Sequence, residues 1–317
     1  MTLLGPLLGH YWTIAPRLRH GVRPLRAPDW RSWETSLEDP VTGRVPVTGR
    51  LRELPGSEEI VVLVHGLGGS TESHYMFHGA QAAERAGLSC LRLNLRGCDL
   101  QGQDFYHAGL TADLHAALAS GELRRYRRIY VIGYSLGGHV TLRLATEVQD
   151  PRVAGVAAVC APLDLGLSQQ EIDSPFRWVY RRYLLGGLVG IYAAVASRRP
   201  LPLTVDEAAR IRTIREWDDR IVAPRHGFAD AADYYARESV APRLGDLRVP
   251  SLLLNSESDP MVPAYAVRPV LRPAPRLEVH WLKGGGHVAF PPDLDAGLGG
   301  GVLGADAQVI EWLRGRS

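Results

Sequence analysis

The chain has 317 residues, a length that suits one large α/β domain or two small ones. Hydrophobic residues make up 45% and charged residues 22%, and 36 basic against 34 acidic side chains leave a formal charge of +2. So small a net charge gives no reason to expect nucleic acid or an anionic membrane as a partner.

In chain order, the N-terminus carries a short apolar stretch, Leu3 to Leu8, interrupted by Pro6. No basic segment precedes it and no small-residue cleavage site follows, so it is not expected to be a signal peptide. Residues 31–53 alternate polar and apolar around the turn signals Asp39-Pro40, Thr42-Gly43 and Thr48-Gly49, which predicts an antiparallel hairpin. From residue 59 the pattern becomes βαβα. Glu59–Val64 reads as a strand buried on both faces, followed by a helix near 73–87, a strand over 89–94 and a helix near 108–120. A strand over 128–133, a helix over 136–148 and a strand over 153–160 come next.

Beyond Leu163 the alternation stops for about 80 residues rich in Arg, Trp and Tyr. Helices are expected near 171–197, 204–217 and 229–238. The apolar run Leu184–Ala196 within this region is too short for a bilayer span, which takes about 20 residues, and reads as a buried or lid helix. Strands then resume at 250–255 and 277–282, with a terminal helix at 305–315. The pattern predicts an α/β fold, a mostly parallel sheet flanked by helices, with a lead-in at 1–58. The core falls at 59–163 and 246–317, and a helical lid at 164–245 enters between the sixth and seventh strands. Cys90, Cys98 and Cys160 cannot all pair and show no CxxC spacing, so reduced thiols and a cytoplasmic setting are expected.

Gly133-Tyr134-Ser135-Leu136-Gly137 matches G-x-S-x-G between an expected strand and an expected helix. A sharp turn there would strain the serine and crowd its neighbours, and glycine two residues before and after removes the colliding side chains. The helix that follows aims its N–H groups and positive dipole end at the site. Ser135 is the candidate nucleophile. His287, in the glycine loop after the strand at 277–282, is the candidate base and is preferred to His280 within that strand. Asp259, four residues past the strand at 250–255, is the candidate acid, with Glu257 and Asp164 as alternatives. The order Ser, Asp, His is that of the α/β-hydrolase arrangement. Oxyanion donors are expected at the backbone N–H groups of Leu136 and of Leu67, the latter in the His65–Ser70 loop; His65 is expected to brace that loop.

Together these segments resemble the α/β-hydrolase superfamily, and more narrowly its YheT-like branch. The resemblance runs through His65-Gly66-Leu67-Gly68-Gly69-Ser70 to Ser73 and Tyr75, Asn94-Leu95-Arg96-Gly97-Cys98, Gly133 to Gly138 and Ala161-Pro162-Leu163-Asp164-Leu165. It continues through Gly227-Phe228-Ala229-Asp230, Tyr234-Tyr235, Asp259-Pro260 and Gly285 to Phe290. At the N-terminus Gly9–Ile14 is similar to a His-x-Gln-Thr segment with Trp12 in place of Gln, and no role is assigned to it. The glycine-rich stretch Asp293–Gly304 departs from the pattern. The resemblance implies a carboxylic ester hydrolase or acyltransferase acting on short- to medium-chain acyl or lipid esters, without a cofactor.

Three further signals are set aside. His74 and His78 have metal-ligand spacing without a third ligand, so no metal is expected. Gly299–Gly304 satisfies GxGxxG but follows no strand. The Arg-rich stretch 177–182 reads as a solvated amphipathic face in preference to a surface for lipid headgroups. Trp178, Tyr180 and Tyr183 are the candidate liners of an acyl pocket. An acyltransferase and a non-catalytic binding protein stand as the rival functions, and oligomeric state is left open.

Overall fold

Alternation along buried strands decides which side chains meet on which face of the sheet. The structure, a computed structural model, describes residues 4–25 and 30–316; Met1–Leu3, where the N-terminal apolar stretch begins, lie outside the described residues. Eight strands form one sheet in the order β1-β2-β4-β3-β5-β6-β7-β8. β1 (Arg31–Asp39) and β2 (Gly43–Arg52) make the expected antiparallel hairpin, and β2 pairs antiparallel with β4 (Ser89–Leu93). β3 (Glu59–Val64), β5 (Arg128–Tyr134), β6 (Val153–Val159), β7 (Ser251–Ser256) and β8 (Leu277–Leu282) complete the parallel part.

The period of two splits β3 between two cores: Ile60, Val62 and Val64 face one layer, Val61 and Leu63 the other. Helix α1 (Leu4–Val22) lies at the N-terminus. α2 (His74–Arg85) and the terminal helix cover one face, while α3 (Ala112–Ala119) and α4 (Leu136–Glu147) cover the other. Between β6 and β7 come α5 (Leu165–Asp173), α6 (Trp178–Ala196), α7 (Val205–Arg210), α8 (Ile214–Trp217), α9 (Ala223–His226) and α10 (Ala231–Glu238). The short α11 (Ala264–Val267) and α12 (Ala305–Gly315) follow.

Three features differ from the sequence expectation. The helix expected near 171–197 is two helices. Asp164 accepts from Leu167 N–H at 2.9 Å and starts the first at Leu165, and Ser174-Pro175 ends it, because the residue before proline disfavours the helical region. The helix expected over 204–217 is broken at Ile211–Thr213, and its second part continues from Ile214 through a π-helical turn, Asp218–Val222, and α9 to Gly227, whose φ of 74° closes it. α1 is the third. It is helical despite Pro16, held by tertiary contacts that include His20 on Phe77, ring centroids 4.9 Å apart.

Buried charges fasten the inserted helices to the core. Arg96 is fully buried and its guanidinium meets Asp113, Asp39 and Asp104, with Nε donating to Asp113 at 2.9 Å. Arg225 of α9 reaches the same Asp39 and Asp104. Among the described residues, no helix is long and apolar enough to cross a membrane.

Candidate active site

The turn from β5 to α4 puts Ser135 at φ 54° and ψ −122°, a strained position for a residue with a side chain. Glycines make it sterically feasible. A Cβ at Gly133 would strike the Gly137 carbonyl, and one at Gly137 would strike the carbonyls of Val64 and His65. Ser135 N–H donates to Val159 O at 2.8 Å, which pins the turn to the neighbouring strand.

Past β8, the loop Lys283–His287 carries His287 over this turn. Its Nε2 lies 2.8 Å from Ser135 Oγ and its Nδ1 2.8 Å from Asp259 Oδ2. Asp259, in the loop after β7, accepts at Oδ1 from the backbone N–H groups of Met261 (2.8 Å) and Val262 (2.9 Å). Both of its oxygens are therefore engaged, and its orientation is fixed from two sides. His287 and Asp259 are buried, and Ser135 is half-buried.

The alternatives lie elsewhere. His280 pairs with Glu278 at 2.7 Å, Glu257 with Arg268, and Asp164 caps α5. The ligand atoms of Cys160, Asp259 and His287 lie within 4.8 Å of one another, the one group of metal-ligand type among the described residues. Its donors are poorly suited to a metal. Burial pushes the Cys160 thiol well up, keeping it protonated, and Asp259 has no free oxygen.

The loop after β3 is braced from three directions. His65 bonds through Nδ1 to Gly66 O at 2.8 Å and accepts at Nε2 from Leu95 N–H at 3.1 Å; burial lowers its pKa to about 4, so it stays neutral. Tyr75 OH accepts from Gly66 N–H at 3.0 Å, and Tyr106 OH from Gly68 N–H at 2.8 Å. The N–H groups of Leu67 and Leu136 have no acceptor among the described residues. Both residues border the cavity beside Ser135. A hydroxyl, an imidazole and a carboxylate are thus hydrogen-bonded in line, beside two N–H groups without an acceptor among the described residues.

The model of the alpha/beta hydrolase family matches residues 61–296. The chain belongs to this family. Its relatives include the YheT protein of Escherichia coli K12, 32% identical over 80% of this chain and 76% of that one. Another is the medium-chain fatty acid ethyl ester synthase/esterase 2 of Saccharomyces cerevisiae, 25% identical over 73% of this chain and 58% of that one. This chain therefore spans less than two thirds of the yeast relative's length. The esterase Pf2001 of Pyrococcus furiosus shares the fold at a TM-score of 0.52 and 16% identity, covering 82% of this chain and 85% of that one.

In this alpha/beta hydrolase a cavity of about 1020 Å³ opens beside Ser135 and His287 and runs beneath the inserted helices. Leu67, Ile172, Leu184, Leu188 and Ile191 give it mostly apolar walls. α6 passes directly over the Leu67 loop, where a Cβ at Gly187 would come within 2.8 Å of Gly68 O. Tyr180 and Tyr183 line this cavity. Trp178 does not. It is 56% exposed, because two residues along a helix turn it well over a quarter-turn away from Tyr180's side.

The sequence reading missed two contributors. Thr13 Oγ1 accepts from His287 N–H at 2.8 Å, bringing α1 to the base loop, and its one signal was the unassigned Gly9–Ile14 segment. Tyr106, after the Asn94–Cys98 segment, gave no signal of its own. Elsewhere on the cavity wall Asp218 accepts from Tyr235 OH at 2.6 Å without a cationic hydrogen-bond partner among the described residues.

Proposed function

We propose that the chain is a serine hydrolase that cleaves carboxylic esters, with short- to medium-chain acyl groups or lipid esters as substrates. The observation that carries this reading is the hydrogen-bonded line Ser135–His287–Asp259 at the wall of an apolar cavity. Ser135 Oγ attacks the ester carbonyl carbon while His287 Nε2 takes its proton, and Asp259 stabilises the imidazolium that forms. The N–H groups of Leu67 and Leu136 receive the charge that develops on the carbonyl oxygen, an effect worth about 2.7–4 kcal/mol per donor in a comparable site. The tetrahedral adduct collapses, the alcohol leaves with the proton from His287, and water attacks the acyl-enzyme with His287 again as base.

The cavity supports the acyl assignment. Its walls are mainly apolar, which favours a hydrocarbon chain. p-Nitrophenyl esters of graded chain length test the reading. Turnover is expected in the wild type and a loss on the order of 10⁶-fold in Ser135→Ala. A folded wild type inert toward every chain length would favour a non-catalytic binding protein.

One relative's name couples ester synthesis with hydrolysis, which supports a second reading in which an alcohol competes with water for the acyl-enzyme. Adding ethanol during turnover of a labelled ester separates the two. Label recovered as ethyl ester supports transfer, and label recovered only as free acid supports hydrolysis.

A further inference from the structure

α1 uses one side for the core and leaves the other bare. Gly9, Thr13 and His20 face inward, toward Ser258, His287 and Phe77. At about 100° per residue, Leu7, Tyr11, Ile14, Leu18 and Val22 fall on one opposite stripe. All five are exposed, Leu7 at 67%, Leu18 at 61% and Val22 at 81%. The start of α6 lies alongside: His10 bonds Tyr180 OH at 2.6 Å, and the Arg17 guanidinium sits 3.7 Å over the Tyr183 ring. There Phe176, 93% exposed, Trp178, Val179 and Tyr183 extend the apolar surface. Isolated exposed apolar side chains are ordinary, but these come from two abutting segments. Ile14, Leu18, Val22, Val179 and Tyr183 also border the cavity, so the apolar surface rims its mouth.

The charge around this rim is mainly positive: Glu171 and Asp173 are met by Arg177 and Arg181, and Glu72 at the cavity's edge lies 3.9 Å from Arg50 and Arg92. Leu4–Arg23 contains no Asp or Glu, and neither does Ser174–Thr204. Arg17, Arg19, Arg23 and Arg182 are exposed and enter none of the ion pairs among the described residues. Elsewhere on the surface arginines are commonly paired, as Arg215 with Asp219 and Arg220 with Glu216. An apolar stripe flanked by unpaired arginine matches an amphipathic element lying in the headgroup region of a bilayer. A second copy of the chain fits poorly, because a two-fold contact through this face would set arginine against arginine.

We propose that α1 and the Phe176–Tyr183 segment dock the protein on an anionic lipid surface, with the cavity mouth turned toward the lipid. The near-neutral composition hides this, because a whole-chain charge does not show that Leu4–Arg23 and Ser174–Thr204 carry arginine and no acid. The inference rests on the ester-hydrolase reading for what the surface delivers to the cavity, while docking itself is measured without turnover.

The test is co-sedimentation of the full chain with vesicles of phosphatidylglycerol or of phosphatidylcholine. Binding is expected to phosphatidylglycerol, to weaken as salt rises, and to be much lower on phosphatidylcholine. Leu7→Asp/Phe176→Asp and, separately, Arg19→Glu/Arg182→Glu should each lower the partition at least about tenfold. Hydrolysis of a water-soluble short-chain ester should be retained in the Leu7→Asp/Phe176→Asp protein. Ser135→Ala should bind vesicles as the wild type does, so a failed hydrolase reading and a failed docking surface give different results. Three outcomes overturn the proposal: no binding to phosphatidylglycerol, equal binding by all variants, or a wild-type dimer that the Leu7→Asp/Phe176→Asp change dissociates while vesicle binding is absent.

Discussion

The backbone N–H of His287 donates to Thr13 Oγ1 across 2.8 Å, a bond that joins two residues 274 positions apart. The loop that carries His287 is otherwise glycine-rich, and this contact from α1 adds to the bonds from Ser256 Oγ to Gly285 O and from Gly286 N–H to Ala289 O that limit its freedom. Thr13 Oγ1 in turn donates to Gly9 O at 2.7 Å, which leaves its lone pairs toward the loop.

On the proposed mechanism Thr13 is a positioning residue. Thr13→Val keeps the shape and removes the acceptor, a loss of about 1 kcal/mol of net hydrogen bonding that is felt mainly by the His287 loop. Steady-state kinetics on a soluble ester should show kcat reduced about fivefold with KM little changed, and Thr13→Ser should restore it. Unchanged kcat in the valine variant would remove the assigned role.

On the same mechanism Tyr106 does this for the loop that carries Leu67 N–H. Tyr106→Phe leaves the half-buried Gly68 N–H beside α6 without its 2.8 Å acceptor, at a cost of about 1–3 kcal/mol if the loop stays in place. The loop is expected to shift and to misplace Leu67 N–H. Both kcat and the rate of serine acylation should fall about ten- to a hundredfold, while the melting temperature moves little. A variant with normal acylation would show that the loop holds its shape without the phenol.

How much of this was readable beforehand depended on whether the deciding contact was local. The turn at Ser135 is fixed by a strand, a helix and glycines within a few residues of it, so a short pattern locates it. His287 and Asp259 follow strand ends that apolar runs reveal. α1 was not legible, because Pro6 and Pro16 argue against a helix and its inward face is chosen by Ser258, Phe77 and His287, far away in the chain. Trp178 was misplaced through helical phase, since composition alone does not say which face of α6 meets the cavity. The π-helical turn and its Asp218 leave no local signature at all.

Asp218 makes stability depend on pH. Burial pushes its pKa up to about 7 from an ordinary 3.8; Asp173 and Asp219 add to the rise, and Tyr235 OH and Arg215 oppose it. Between those two values the folded chain holds a proton that the unfolded chain has released, so stability falls as pH rises through that window. The full loss is on the order of a few kcal/mol. Asp218→Asn keeps an acceptor for Tyr235 and should flatten this slope in urea titrations run across the window. An unaltered slope would show that Asp218 ionises freely in the fold.

Arg96 should be the costliest side chain to remove outside the site. Arg96→Met leaves Asp113 buried without its guanidinium and leaves Arg225 as the one arginine that meets Asp39 and Asp104. Breaking a buried pair in this way costs about 3–5 kcal/mol. The urea midpoint should drop accordingly, with the inserted helices cut by protease before the core. A midpoint equal to wild type would mean that the cluster contributes nothing to the fold.

The reactivity of Ser135 tests the central claim most directly. The intact protein is treated with a fluorophosphonate and digested, and the adduct is located by mass spectrometry. One adduct per chain is expected, on the peptide containing Ser135, with labelling strongly slowed in His287→Ala and absent in Ser135→Ala. A folded wild type that takes no label, or takes it equally well in the Ser135→Ala protein, would contradict the account.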